Sequence, residues 1–321
     1  MKTYILATIL SLFLTIILGF FAIKILRRIK INQPILKYVE EHKEKSGTPT
    51  MGGLFFIIPS VIVYFLLGTS TLAFYSILIG LAFMAVGFID DFIKVKTGKN
   101  EGLKPYQKIV FQLSIAVFSA LISYKNGLTE FNIPFLGKYV DLGWISVPII
   151  VFIFIATTNS VNLTDGIDGL AGTVSYIYLF FIAIIILNSN NALIFDNERR
   201  GLVVLSFSLI GGILGFLAFN FNKAKVFMGD TGSLSLGGFI ASISIFSSNS
   251  FFIPIIGIMF VMSSISVIVQ VFYYKRTKKR VFLMAPLHHH YQMKGVLEGK
   301  ICFIYGLITV FIGMTCLLTY L

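Results

Sequence analysis

The chain has 321 residues, of which 56% are hydrophobic and only 12% charged, with a formal net charge of +12 and a mean hydropathy of +0.89. Soluble domains are roughly 45–50% apolar, so this composition excludes a soluble globular protein and predicts a polytopic membrane protein. The positive charge does not point to nucleic acid, because the basic residues sit in short loops between apolar runs, where the positive-inside rule accounts for them.

Apolar runs long enough to cross about 30 Å of hydrocarbon occur at residues 3–26, 51–68, 71–89, 107–124, 144–160, 171–187, 201–219, 233–248, 251–273 and 302–320. They predict an all-α polytopic integral membrane protein of about ten transmembrane helices. The first run lacks a small-residue cleavage site and is followed by Arg27, Arg28 and Lys30, so a retained first span is expected rather than a removed signal peptide. Pro59, Pro148 and Pro254 fall inside runs, which membrane helices tolerate when neighbours satisfy the freed backbone. The divisions at residues 68–71 and 247–250 rest on small polar residues alone. No polar interval is much longer than about 30 residues, too short for an independent core, so residues 1–321 are read as one membrane domain. Cys302 and Cys316 are 14 residues apart in the last run, about 21 Å along a helix, beyond disulfide reach.

Ten crossings put both termini on one side. Alternate loops hold 21 of the 26 basic residues, and the other set, with the termini, holds only Lys2, Lys125, Lys138, Arg199 and Arg200. The first set is therefore expected in the cytoplasm and both termini outside it. Every polar cluster of unusual composition shares the expected cytoplasmic side: SGTPTMGG (46–53), DDFIK (90–94), NSVNLTDGIDG (159–169), NFNKAKVFMGDTGS (220–233) and PLHHHYQ (286–292). Chance would scatter them over both faces, which favours one cytoplasmic site.

Adjacent Asp90 and Asp91 close an apolar run. Burying such carboxylates deep in a bilayer is costly, and side by side they repel unless a cation neutralises them. Mg²⁺ takes one or two carboxylates and leaves positions for water and substrate phosphate; a pair of solvated loop aspartates beside Lys94 is the plainer alternative. Asn159, Asn162 and Asp165 are spaced three and three, one stripe of a helix end, and a helix cap with an Asp-Gly turn would use the same residues. FMGDTGS (227–233) opens a helix, where backbone amides suit phosphate, while Asp230, Thr231 and Ser233 also read as an ordinary N-cap. It is not a Walker A sequence. On the same face as Asp90 and Asp91, Asp230 is a third oxygen donor for a metal. His288, His289 and His290 are consecutive, so their rings diverge and make a poor zinc chelate; they suit a diphosphate or a basic loop against lipid headgroups. Lys45 and Lys108 each flank a helix on the clustered face and offer charge to phosphoryl oxygens.

Taken together, GTPTMGG at 47–53, DDFIK at 90–94, NLTDGIDGLA at 162–171, VFMGDTGSLSLGG at 226–238 and PLHHHYQ at 286–292 resemble the phospho-N-acetylmuramoyl-pentapeptide-transferases, within the polyprenyl-phosphate N-acetylhexosamine 1-phosphate transferase superfamily. The resemblance runs nearly the full chain. It implies transfer of phospho-N-acetylmuramoyl-pentapeptide from UDP-MurNAc-pentapeptide to undecaprenyl phosphate, giving lipid I and UMP, with Mg²⁺, in the bacterial inner membrane. By the same resemblance Asp230 is the principal Mg²⁺ ligand, Asp90 and Asp91 organise the metal, and Asp90 deprotonates or orients the lipid phosphate. Asn162, Asp165, Asp168 and Asn220 fall to substrate binding, with Asp165 and Asn220 at the nucleotide end, Phe227 stacking on uracil and His288, His289 and His290 near the diphosphate. By the same resemblance a homodimer is expected, since dimers are common in the family, and nothing in the residues proves one. The competing readings are a GlcNAc-1-phosphate transferase of the same superfamily and a secondary transporter, against which stands the placement of the acids at helix ends on one face.

Overall fold

A computed structural model describes residues 1–28, 47–98, 101–189, 191, 194–221 and 223–318. Within them run α1 (Lys2–Arg28), α2 (Gly53–Leu67), α3 (Thr71–Thr97), α4 (Pro105–Lys125), β1 (Glu130–Ile133), β2 (Lys138–Asp141), α5 (Ser146–Thr164) and α6 (Leu170–Asn188). After these come α7 (Asp196–Asn220), α8 (Gly229–Phe246), α9 (Ile253–Ile256), α10 (Ile258–Thr277), α11 (Leu287–Gln292) and α12 (Glu298–Leu317). Ten helices of fifteen or more residues match the ten apolar runs, and eight are long and apolar enough to cross a membrane. α2 and α8 are not among the eight: α2 has 15 residues, and α8 has 18 and is rich in Gly and Ser.

α8 is the middle of the bundle. From Thr231 to Phe246 every residue is buried, as expected of a helix enclosed on all sides. α3, α5 and α2 pack along it, while α7 gathers α1, α2 and α6, and α4 and α10 lean on α5. Lipid tails are as apolar as side chains, so association inside a bilayer depends on close backbone approach and interhelical hydrogen bonds. α8 supplies both: Ser235 Oγ donates to the Gly80 carbonyl at 2.8 Å, and a Cβ on Gly87 of α3 would run into the Asp230 carbonyl. α4 shows the amphipathic form of the rule, with Gln112, Ala116, Ser119, Ala120 and Ser123 inside and Ile109, Phe111, Leu113, Phe118 and Leu121 outside.

The turn between α2 and α3 is held by more than its own small residues. Glu198 of α7 accepts hydrogen bonds from Ser70 Oγ (2.6 Å), Thr71 N (3.2 Å) and Leu72 N (2.8 Å), satisfying amides that a helix start leaves unpaired. One expectation is corrected. The span read at 251–273 is broken at Gly257 into α9 and α10, and α10 continues to Thr277; Pro254 sits in the first turn of the short α9, where its missing N–H costs nothing. The all-α polytopic reading holds, and the described residues add one small hairpin between α4 and α5, with β1 antiparallel to β2. The hairpin covers the far end of α8: Asn132 N donates to the Ser248 carbonyl at 2.7 Å and Asn132 Nδ2 to Asn249 Oδ1 at 2.8 Å.

Gly87→Ala is expected to push α3 off α8, costing about 1–3 kcal/mol as an overpacked core does. A fall in thermal midpoint in detergent checks this, with an unchanged midpoint counting against the tight α3–α8 contact.

Candidate active site

The last turns of α3 carry Asp90, Asp91 and Lys94, and a separation of four puts Lys94 on the face of Asp90. Its Nζ lies 2.6 Å from Asp90 Oδ2 and 2.9 Å from Asp230 Oδ2. Pro105 and Gln107 start α4 just before Lys108, whose Nζ reaches the same Asp230 oxygen at 2.9 Å. The other oxygen, Asp230 Oδ1, accepts from Asn162 Nδ2 of α5 at 2.7 Å, and that amide also donates to Ser233 Oγ at 2.8 Å. Side chains from α3, α4 and α5 thus meet on one carboxylate at the start of α8.

Asp91 is bound differently. No side chain of its own flank caps α8; instead Asp91 Oδ1 accepts from Asp230 N at 3.2 Å, and Oδ2 from Thr231 N at 2.9 Å and Thr231 Oγ1 at 2.7 Å. A carboxylate at a helix start meets both its unpaired amides and its positive dipole end. Gly229, at φ +71°, makes the sharp entry, and the space beside its Cα is filled by Asp91 and Thr50. Asp90 Oδ1 accepts from Leu103 N at 2.9 Å, which fastens the α3–α4 loop over it.

Oxygens of Asp90, Asp91 and Asp230 all lie within 4.8 Å of one another. Asp90 and Asp91 are 3% and 2% exposed. Three carboxylates face two ammonium groups, a formal excess of one negative charge in a nearly dry place, and hard oxygen donors of this kind suit a divalent cation.

Beside this cluster, loops from four places meet. The segment holding Thr50 and Gly52 pairs with the start of α8 through Phe227 N to Pro49 O (2.8 Å), Gly52 N to Phe227 O (2.9 Å) and Gly53 N to Met228 O (3.0 Å). Asn220 is spent on backbone, accepting from Gly169 N and donating to Val226 O, each at 2.9 Å. Asp168 Oδ2 accepts from Ala224 N at 2.8 Å. Burial, and next the negative charges of Asp230, Asp91 and Asp168, raise the Asp165 carboxyl well above the usual carboxylate range. His288 is fully buried beside His289, their ring centroids 4.4 Å apart. Burial, followed by His289, lowers its pKa well below the usual histidine value. His288 Nε2 stands where a side chain on Gly166 would go, so α11 is pressed against the Asp165 loop.

The glycosyl transferase family 4 model matches residues 72–248, and the phospho-N-acetylmuramoyl-pentapeptide-transferase signature 1 matches residues 45–57. Among curated relatives, the phospho-N-acetylmuramoyl-pentapeptide-transferase of Caldanaerobacter subterraneus subsp. tengcongensis is 40% identical over 305 residues, covering 94% of each chain. The Clostridium botulinum protein of that name is 40% identical over 309 residues, covering 94% of this chain and 92% of its own. That of Listeria monocytogenes is 43% identical over 267 residues, covering 81% and 80%. The chain belongs to the phospho-N-acetylmuramoyl-pentapeptide-transferase family.

The motifs that carry the family resemblance meet at one end of the bundle. Asp90, Asp91, Asp230, Lys108 and Asn162 form one cluster, and Asp165, Asp168 and Phe227 in loops, Asn220 at the end of α7 and His288 and His289 in α11 lie beside it. His290 turns aside: its Nδ1 accepts from Leu283 N at 3.1 Å and its ring packs on Phe282. Lys45 lies outside the described residues. Lys94, offered by the sequence only as a charge beside solvated aspartates although its spacing from Asp90 was the available signal, joins Asp90 and Asp230, and Thr231, which also read as part of an N-cap, holds Asp91.

Asp91→Asn puts an NH₂ where one of two acceptors stood, leaving α8 amides short of a partner at about 1–3 kcal/mol. Thermal unfolding in detergent is expected to show a larger loss for Asp91→Asn than for Asp90→Asn, which bonds one backbone amide; equal losses would contradict the capping role.

Proposed function

We propose that this chain, a multi-pass protein of the bacterial cell membrane, transfers phospho-N-acetylmuramoyl-pentapeptide from UDP-MurNAc-pentapeptide to undecaprenyl phosphate. The products are lipid I and UMP. The observation that carries this reading is the convergence of Asp90, Asp91 and Asp230, far apart in the chain, on one spot shared with two lysines at the ends of membrane helices. Such a spot meets both substrates, a phosphate carried on a lipid in the bilayer and a nucleotide arriving from water.

In the reaction an oxygen of the lipid phosphate bonds to the phosphorus that bears the sugar. The phosphoanhydride bond to UMP breaks, and UMP leaves with the electron pair. Asp230, with Asp90 and Asp91, would hold Mg²⁺. When bound, the ion neutralises phosphate charge and aligns the diphosphate. Asp90 takes a proton from the lipid phosphate or orients it, and Asp91 keeps the start of α8 and hence Asp230 in place. Lys94 and Lys108 offset charge on the phosphoryl oxygens, a role that Lys45 shares from the preceding segment. Direct attack is favoured over an aspartyl-phosphate intermediate, because lysines and metal already supply the charge that phosphoryl transfer needs.

Asn162 positions Asp230. Asp165 and Phe227 receive the nucleotide, with Phe227 stacking on uracil, and Asn220 and Asp168 shape that pocket by tying loops 165–169 and 220–226 together. His288 and His289 lie toward the diphosphate, and His290 supports the loop that carries them. Residues 1–321 act as one membrane domain, with the site on the cytoplasmic side and both termini outside. The match of residues 45–57 to the muramoyl-pentapeptide signature favours this donor over UDP-GlcNAc.

Purified protein is expected to release UMP only with UDP-MurNAc-pentapeptide, undecaprenyl phosphate and Mg²⁺ together, to stop with EDTA and to resume with added Mg²⁺. Asp230→Ala should lower the rate by at least about a thousandfold, as losing a major source of transition-state charge stabilisation does, while keeping a folded profile in detergent. Transfer with UDP-GlcNAc instead, or metal-dependent transfer by Asp230→Ala, would count against the reading.

A further inference from the structure

One helical turn deeper in the bundle than the carboxylate cluster lies a polar pair that the mechanism does not use. Gln112 follows Lys108 by four residues on α4, and Asn159 precedes Asn162 by three on α5, so each sits on the stripe of a residue that binds Asp230. Asn159 Nδ2 donates to Gln112 Oε1 at 2.8 Å and to the Ile155 carbonyl at 2.8 Å. Both N–H groups of Asn159 are thereby committed, and its Oδ1 is left as an acceptor. Gln112 is fully buried, and its Nε2 has no partner.

An unpaired buried donor is destabilising, so Nε2 does not account for a glutamine among Ala116, Ser119 and Ala120 on the inner face of α4. Its Oε1 has a definite use. By accepting from Asn159 it fixes which way that carboxamide faces, which an Ile155 carbonyl acting alone would leave to the other rotamers.

We infer that Gln112 is a positioning residue: it holds the Asn159 carboxamide so that Oδ1 stays available as a hydrogen-bond acceptor just beneath the carboxylate cluster. The chemistry that meets such an acceptor is a donor O–H from above, either the hydroxyl of a singly protonated phosphate monoester or a water on the divalent cation. The inference rests on the transferase reading for its substrate. Gln112 makes no contact with substrate itself and works through Asn159.

The test is kinetics and thermal unfolding of the full-length protein in detergent for Gln112→Leu, Gln112→Met, Asn159→Ala and the double variant Gln112→Leu/Asn159→Ala. Active wild-type enzyme is the starting condition, so failure of the transferase reading shows before any variant is compared. Gln112→Leu is expected to change the thermal midpoint little, because losing the unpaired Nε2 offsets the acceptor taken from Asn159 Nδ2, while kcat falls about ten- to a hundredfold, the usual effect of removing a group that orients a functional one. KM for UDP-MurNAc-pentapeptide should stay the same. The double variant should be no slower than Asn159→Ala. Gln112→Met, which keeps the length without the acceptor, should match Gln112→Leu. Wild-type kcat in both Gln112 variants, additive losses in the double variant, or a kcat loss that tracks a lowered thermal midpoint would each overturn the inference.

Discussion

The bond on which the site depends is the one between Asp91 of α3 and the first amides of α8. α8 is short, buried along its length and capped by nothing of its own, so its start needs an acceptor from elsewhere. Asp91 supplies it with a charge that the helix dipole favours. Because Asp230 is the second residue of α8, the same bond sets where its carboxylate stands relative to Asp90 and Lys94, one turn of α3 away. Glycine at position 87 lets the two helices approach closely enough for the bond to form. Structure and site are one problem here: the contact that packs the central helix also gathers the acids.

What remains after that bond is a matter of charge. Lys94 and Lys108 both point at one oxygen of Asp230, leaving Asp90, Asp91 and Asp230 with a formal excess of one negative charge at the edge of a low-dielectric slab. A helix bundle chosen for stability alone would replace such a cluster with apolar residues, since buried ion pairs rarely repay their desolvation. Their presence at helix ends, where water and headgroups begin, is the physical reason to read them as a place for phosphate and a hard cation.

Much of this was legible in the sequence. Ten apolar runs became ten long helices because hydropathy over a bilayer length is a strong signal. DDFIK, the Asn-Asp stripe and FMGDTGS pointed to one site because polar residues beside a bilayer are costly. What the sequence did not carry were pairings between distant segments: Glu198 capping α3 from α7, Asp91 capping α8 from α3, and Gln112 holding Asn159. Each is a single residue in an otherwise ordinary helix, with no periodic trace. The hairpin at residues 130–141 escaped for a related reason, since two strands of four residues give too short an alternation to stand out. Lys94 could have been found, because its spacing from Asp90 already placed it on the same helical face.

Asp90, Asp91 and Asp230 are placed to hold one divalent ion between them. Electron paramagnetic resonance of Mn²⁺ titrated into the detergent-purified chain tests it without reference to turnover. One tightly bound ion per chain, displaced by Mg²⁺ and lost in Asp90→Asn/Asp230→Asn, is the result expected. Tight Mn²⁺ binding that survives in Asp90→Asn/Asp230→Asn would contradict a shared ion at this cluster.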